Sequence, residues 1–178
     1  MIPLVLNPEN VRIGLAGAGP AAARRLAGLR AGGAEPVLFG EGFAPLPRDE
    51  SALAGLRILY IAGLEEADYV PLAETARRLG ILVNVEDVPG LCDFHAVAEV
   101  RRGDLLMTVS TGGAAPGLAG VIRRALEGCF GPEWAGRVAE AARLRQGWRA
   151  EGVSMAEAAQ RLAALARERC WLSCPQAD

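Results

Sequence analysis

Between Asn84 and Pro116 the chain reads NVEDVPGLCDFHAVAEVRRGDLLMTVSTGGAAP, a run that holds three chemically different kinds of side chain in order. Glu86 and Asp87 bring carboxylates able to accept a proton, at the end of an expected strand. Arg101 and Arg102 bring guanidinium forks that suit carboxylate groups on a ligand. Ser110, Thr111, Gly112 and Gly113 bring hydroxyls and free backbone amides ahead of an expected helix. Such a nest suits nicotinamide-side contacts or an anion, and equally a plain helix cap. A base, a basic rim and an anion nest, placed after a dinucleotide-type glycine turn, describe an oxidoreductase acting on an anionic substrate.

That glycine turn is Gly17-Ala18-Gly19-Pro20-Ala21-Ala22, directly after an expected strand and before an expected helix. Gly17 permits the tight turn, Gly19 lets a pyrophosphate approach the backbone, and Ala22 lets helix and strand pack closely. Pro20 suits the first helical position, and the helix start presents its amides to phosphate. Gly17, Ala18, Gly19, Pro20 and Ala21, with Gly63 just after the third expected strand, form the expected cofactor set. Glu41 is the best match to the acidic residue expected about twenty positions on. At a strand tip it would accept from the ribose hydroxyls and favour NAD over NADP. In its Gly-Glu-Gly context it reads equally well as a surface charge.

The elements that must position these groups follow from periodicity. Strands are expected over 11–16, 36–39, 57–62 and 81–85, and helices over 20–31 and 69–79, an alternation that means a parallel sheet with right-handed crossovers. Residues 40–48 read as a loop. Strands over 95–100 and 105–110, joined by an Arg101–Asp104 turn, are followed by helices over 116–130, 132–149 and 154–169. Ser154 and Glu157 have capping-box spacing. The expected domains are 1–92 for nucleotide binding, 93–130 for dimerisation and 131–178 as a helical tail. Apolar helix faces with few places to be buried point to a homodimer.

Composition narrows the function classes. The chain has 178 residues and a formal net charge of -2, which offers no overall field for nucleic acid or an anionic membrane. Its basic residues are all arginine. That excludes a Schiff-base lysine, a Walker-type lysine and a lysine general base from this chain. The start lacks the basic region of a signal peptide and no window reaches membrane-span length, so a cytoplasmic protein is expected. Cys92, Cys129, Cys170 and Cys174 lack paired spacing and are expected as reduced thiols. His95, the single histidine, reads either as a packed hairpin imidazole or as a ligand contact. No metal site of the protein's own is expected.

With the glycine turn and the 84–116 run in view, the chain resembles the precorrin-2 dehydrogenase and sirohydrochlorin ferrochelatase family, the module found in bifunctional sirohaem synthases. The matching pieces are PLVLNPENVRIGLAGAGPAAARR, ILVNVEDVPGLCDFHAVAEVRRGDLLMTVSTGGAAPGLA and the PEW helix start, and they span most of the chain. The resemblance implies an α/β protein: a Rossmann-like parallel sheet, a small strand-plus-helix dimerisation domain and a helical tail. It implies that NAD+ takes a hydride from precorrin-2, a tetrapyrrole, to give sirohydrochlorin. Many members also insert Fe2+, which would then be a substrate. In that family the aspartate of VNV-x-D, here Asp87, is the principal catalytic group. Ser110, Thr111, Gly112, Gly113, Arg101, Arg102 and His95 are then the expected substrate contacts, with Arg123 and Arg124 extending the basic rim for a polycarboxylate ring.

The chain also departs from the family pattern. The 40–57 segment is short, Leu64-Glu65-Glu66 stands where Thr-Asp-Asp is usual, and Pro71 stands near the position of a usual asparagine. A non-catalytic paralogue that carries or senses a tetrapyrrole or nucleotide is therefore the alternative reading.

Overall fold

The computed structural model describes residues 2–172, so Cys174 lies outside the described residues. The chain forms two compact units that meet between Ala96 and Val97.

In the first unit, β1 (Ile13–Gly17), β2 (Val37–Gly40), β3 (Ile58–Ala62) and β4 (Leu82–Val85) make a parallel sheet in the order β2-β1-β3-β4. Helix α1 (Gly19–Ala31) connects β1 to β2, and α2 (Glu66–Arg78) connects β3 to β4. β1 lies between β2 and β3, so the chain leaves it in opposite directions. This is the topological switch point, where the carboxyl ends of the strands open a ligand crevice. All five residues of β1 are buried, as befits a strand covered on both faces. The larger core cluster packs Leu72, Ala73 and Ala76 of α2 onto Leu59, Ile61, Val83 and Val85.

The β2–β3 connection has no α-helix. A 3₁₀ turn over Glu50–Leu53 replaces it, and Leu53 and Leu56 are buried in the core. Gly14 makes room for Leu56: a Cβ there would come 2.7 Å from Leu56 Cδ1. The short 40–57 segment therefore still covers the sheet face. Helix α2 begins earlier than expected, because Glu66 and Asp68 suit the positive end of a helix and start it before Pro71.

The second unit opens with an antiparallel hairpin of β5 (Ala98–Arg102) and β6 (Leu105–Val109), in which Arg102 pairs with Leu105. The turn is thus Gly103-Asp104, with Gly103 left-handed at φ 58°, and Arg101 and Arg102 belong to the strand. His95 precedes the hairpin, against the expectation of a strand from 95. Helices α3 (Pro116–Cys129), α4 (Trp134–Ala150) and α5 (Met155–Glu168) follow. Ser154 caps α5 by accepting from the Glu157 amide at 3.2 Å. The hairpin and the three helices form one unit rather than the expected two. Cys129 is disulfide-bonded, which departs from the expectation of reduced thiols. Sequence spacing carries no sign of this, since pairing depends on spatial approach.

Gly40 is left-handed at φ 111°, and a Cβ on it would come 2.1 Å from the Gly17 carbonyl oxygen. Gly40→Ala is expected to lower unfolding free energy by about 2 kcal/mol or more, through strain and backbone overlap. Urea denaturation of the two proteins measures it.

Candidate functional site

The carboxyl edge of the parallel sheet gathers the groups expected to bind a cofactor. Gly17 ends β1 with no space for a side chain: a Cβ would come 2.3 Å from the Ala62 oxygen and 2.7 Å from Ala22 Cβ. The Ala18 amide donates to that same Ala62 oxygen at 3.2 Å. Gly63, left-handed at φ 68°, would bring a Cβ 2.3 Å from the Ala18 oxygen. Three short residues therefore let the first and third strand ends touch backbone to backbone.

Gly19 differs. It is left-handed at φ 61°, and a Cβ there would meet nothing within 4 Å. The space above it is open, Pro20 follows at the helix start, and Ala18 gives α1 no side-chain cap. The amides at the start of α1 face that open space, and the one on Gly19 is held by a side chain that an incoming pyrophosphate would displace. Beside them a pocket of about 220 Å³ is lined by Leu15, Gly19, Leu26, Leu38, Glu41 and Phe43 among others. Its apolar walls and open glycine turn fit the adenosine half of a dinucleotide.

Glu41 stands at that turn. Its Oε2 accepts from the Gly19 amide at 3.3 Å, so the carboxylate sits where an anion would bind. The loop that carries it turns on Gly40 and Gly42, both left-handed, and closes with the Gly40 amide donating to the Ala44 oxygen at 2.7 Å. Leu64, standing where a hydroxyl is usual, packs against the core, and Glu65 heads α2 without a side-chain cap bond.

Asp87 follows β4 on the same edge of the sheet. Two strand spacings separate β4 from β1, which places it roughly 10 Å along the edge from the glycine turn. Asp87 is exposed and left-handed at φ 61°, in a turn closed by the Val88 amide donating to the Val85 oxygen at 3.3 Å. Positive φ at the third position of a turn favours glycine or asparagine, and a short acidic side chain is among the better tolerated. Arg25 of α1 lies over the Tyr60 ring at 5.3 Å and within 3.9 Å of Glu86.

Sequence reasoning missed the residues that hold this turn. The chain folds back along β4, where the Asp93 amide donates to the Val83 oxygen and the Asp93 carboxylate accepts from the Val83 amide, both at 2.8 Å. Arg77 pairs with Asp93 at 3.1 Å. Asn84, a buried polar side chain, donates to the Phe94 oxygen at 2.9 Å. These bonds carry the first unit past the expected boundary at 92. The CDF tripeptide after VNV-x-D-x-P was the available signal, and its meaning depends on this fold-back.

In the second unit, the Thr111 hydroxyl accepts from the Ala115 amide and the Ser110 hydroxyl from the Gly112 amide, both at 3.2 Å. Gly112 and Gly113 are both left-handed, so the STGG segment turns the chain into α3. Arg101 forms a two-pronged pair with Glu99 at 2.9 and 3.0 Å. Arg102 donates to the Phe130 oxygen at 2.8 Å, closing the end of α3. Arg123 pairs with Glu127, and Arg124 and His95 are exposed. Among the described residues no three His, Cys, Asp or Glu side chains converge as a metal site. Among them, too, no helix is long and apolar enough to cross a membrane.

A parallel sheet with a glycine turn and a helix start at its switch point defines a Rossmann-like nucleotide-binding protein. The model of a family described as putative NAD(P)-binding matches residues 4–98, and the chain belongs to that family. Siroheme synthase of Nitrosococcus oceani is 33% identical over 164 residues, covering 81% of this chain and 34% of the relative. Siroheme synthase of Methylococcus capsulatus is 41% identical over 92 residues, covering 52% and 19%. The chain thus spans about a third or less of these relatives. Siroheme biosynthesis protein met8 of Schizosaccharomyces pombe is 39% identical over 66 residues, covering 37% and 25%. A solved structure of SirC, precorrin-2 dehydrogenase, shares the fold with a TM-score of 0.71 at 19% identity, over 97% of this chain and 93% of that one. These findings bear out the resemblance and the α/β fold expected from the sequence.

Proposed function

We propose that the chain is an NAD-dependent dehydrogenase that converts precorrin-2 to sirohydrochlorin in siroheme biosynthesis. The observation that carries this is the placement of Asp87 on the same sheet edge as the glycine turn, on the side away from the adenosine pocket. A dinucleotide whose adenosine lies toward β2 and whose pyrophosphate lies on Gly19 extends its other half past β3 toward β4. Bound there, NAD+ supplies the acceptor for a hydride. The chain's own groups do the rest.

Oxidation of the ring by two electrons releases a hydride and a proton, and Asp87 is the group at that edge to take the proton. Its exposure lets a macrocycle reach it. If Fe2+ is then inserted, two pyrrole protons must leave, and the same carboxylate can accept them in turn. Fe2+ is a substrate in that step. Ser110 to Gly113 and Arg101 would serve the substrate's carboxylates, with Arg102 fixing the frame of the hairpin. The names of the siroheme synthases and of SirC support this reading, as does the match to the NAD(P)-binding family.

Glu41 selects the cofactor in this proposal. Once a pyrophosphate takes the Gly19 amide, its carboxylate is free to accept from the ribose hydroxyls, and it repels a 2′-phosphate. The assembly proposed is a homodimer. Leu118, Val121 and Ile122 of α3, at helical spacing, are 52%, 51% and 38% exposed, an apolar face with a matching copy in a second chain.

Four expected outcomes test this. Anaerobic incubation with enzymatically generated precorrin-2 and NAD+ is expected to give NADH and the sirohydrochlorin spectrum together. Asp87→Asn should lower that rate about a hundredfold or more while NAD+ binding stays intact. Tight tetrapyrrole binding without turnover would instead favour a carrier or sensor, and an added Fe2+ arm reads the chelatase. Glu41→Ala is expected to weaken NAD+ about tenfold, the loss of roughly one charge-assisted hydrogen bond, and to narrow the preference over NADP+ in calorimetric titration. Leu118→Glu is expected to shift the protein from dimer to monomer in sedimentation velocity, with the circular dichroism spectrum unchanged.

A further inference from the structure

The acid proposed for the chemistry lies on an exposed turn in a backbone conformation that an aspartate adopts at a cost, so something must hold it. The Cys92 side chain supplies that hold. Its Sγ lies 3.3 Å from the Val85 amide nitrogen, 3.2 Å from the Val85 oxygen, 3.4 Å from the Val88 oxygen and 3.5 Å from Asn84 Nδ2. One sulfur thus faces the two residues that begin and end the Asp87 turn. It accepts from the N–H groups of Val85 and Asn84, and its single proton goes to one of the two carbonyls at a time.

The Cys92 backbone is itself fixed. Its amide donates to the Pro89 oxygen at 3.1 Å, and the next residue is bonded in both directions to Val83. The thiol is therefore tied to the edge strand, and the Asp87 turn closes around it. Among the described residues, the side-chain bonds to Val85 and Val88 come from Cys92.

We infer that Cys92 is a positioning residue for Asp87, its thiol fixing the turn that aims the carboxylate. This rests on the dehydrogenase reading. A shift of an acid by about 1 Å costs on the order of a hundredfold in rate, so loss of the pin should be visible in turnover while the glycine turn, on other strands, is left alone.

Cys92→Ala and Cys92→Ser, each alone and combined with Asp87→Asn, give the test. Cys92→Ala is expected to lower kcat for NADH formation about tenfold or more, with the NAD+ dissociation constant unchanged when titrated without tetrapyrrole. Cys92→Ser, which keeps a donor and acceptor on a shorter arm, should recover part of the loss. In the Asp87→Asn background Cys92→Ala should change the residual rate by less than about twofold, because the group it places is gone. An equal loss in both backgrounds, or a loss lying wholly in NAD+ affinity, overturns the inference.

Amide hydrogen exchange gives a readout that needs no turnover. The Val85 and Val88 amides should exchange faster in Cys92→Ala and near the normal rate in Cys92→Ser, with α2 unaffected. Unchanged exchange at both overturns the inference whatever the protein catalyses. A wild-type protein that makes no NADH would sink the dehydrogenase reading, and the exchange result would still decide whether the thiol pins the turn.

Discussion

Backbone touching backbone at the carboxyl edge of the sheet is the constraint on which the rest depends. Gly17 and Gly40 end two neighbouring strands and Gly63 directly follows a third, and a methyl group on any of them would overlap a carbonyl oxygen. Their lack of side chains brings the turn after β1 against the end of β3 and folds the Glu41 loop over it. The start of α1, the pocket toward β2 and the adjacent end of β4 all take their positions from that contact. A looser edge would still form a sheet, but its strand ends would no longer converge on one crevice.

The parts of this arrangement that were legible in the sequence are those that depend on neighbours along the chain. The glycine turn announces itself because strand, glycines and helix start must follow in order, and the alternation of strands and helices leaves few topologies to consider. Asp87 stood out because an acid after a buried strand has a fixed place at a sheet's end. Less legible were features that depend on distant contacts. Asn84 reads as one more strand residue until Phe94 is known to lie beside it, and Asp93 as a loop charge until it is found bonded to Val83. Arg101 and Arg102 look like a basic turn, and the pairing of Arg102 with Leu105 makes them strand residues with partners of their own.

The two units solve their polar problems differently. The first satisfies its edge strand with a side chain and a backbone from the segment just downstream, which gives the acidic turn a firm base despite its exposure. The second relies on arginine. Arg137 lies over the Trp134 and Trp171 rings at 5.0 and 5.9 Å and donates to the Trp171 oxygen, while Arg169 pairs with Glu140 at 2.8 Å. In a chain without lysine, the flat guanidinium serves both as stacking surface and as helix-end donor, roles a lysine fills less well.

The contact between Glu41 and the Gly19 amide carries a consequence for the unliganded protein. An empty helix start would collect any small anion in its surroundings, and a free phosphate bound there would stand in the way of a dinucleotide. A carboxylate tethered on the neighbouring loop competes at an effective concentration on the order of millimolar, without diffusing away. A lone phosphate must displace it for little gain, whereas a ligand that also fills the pocket and offers hydroxyls to the released carboxylate gives back more than it removes. On the proposed reading, the tethered acid would make the site deaf to inorganic anions and responsive to a whole nucleotide.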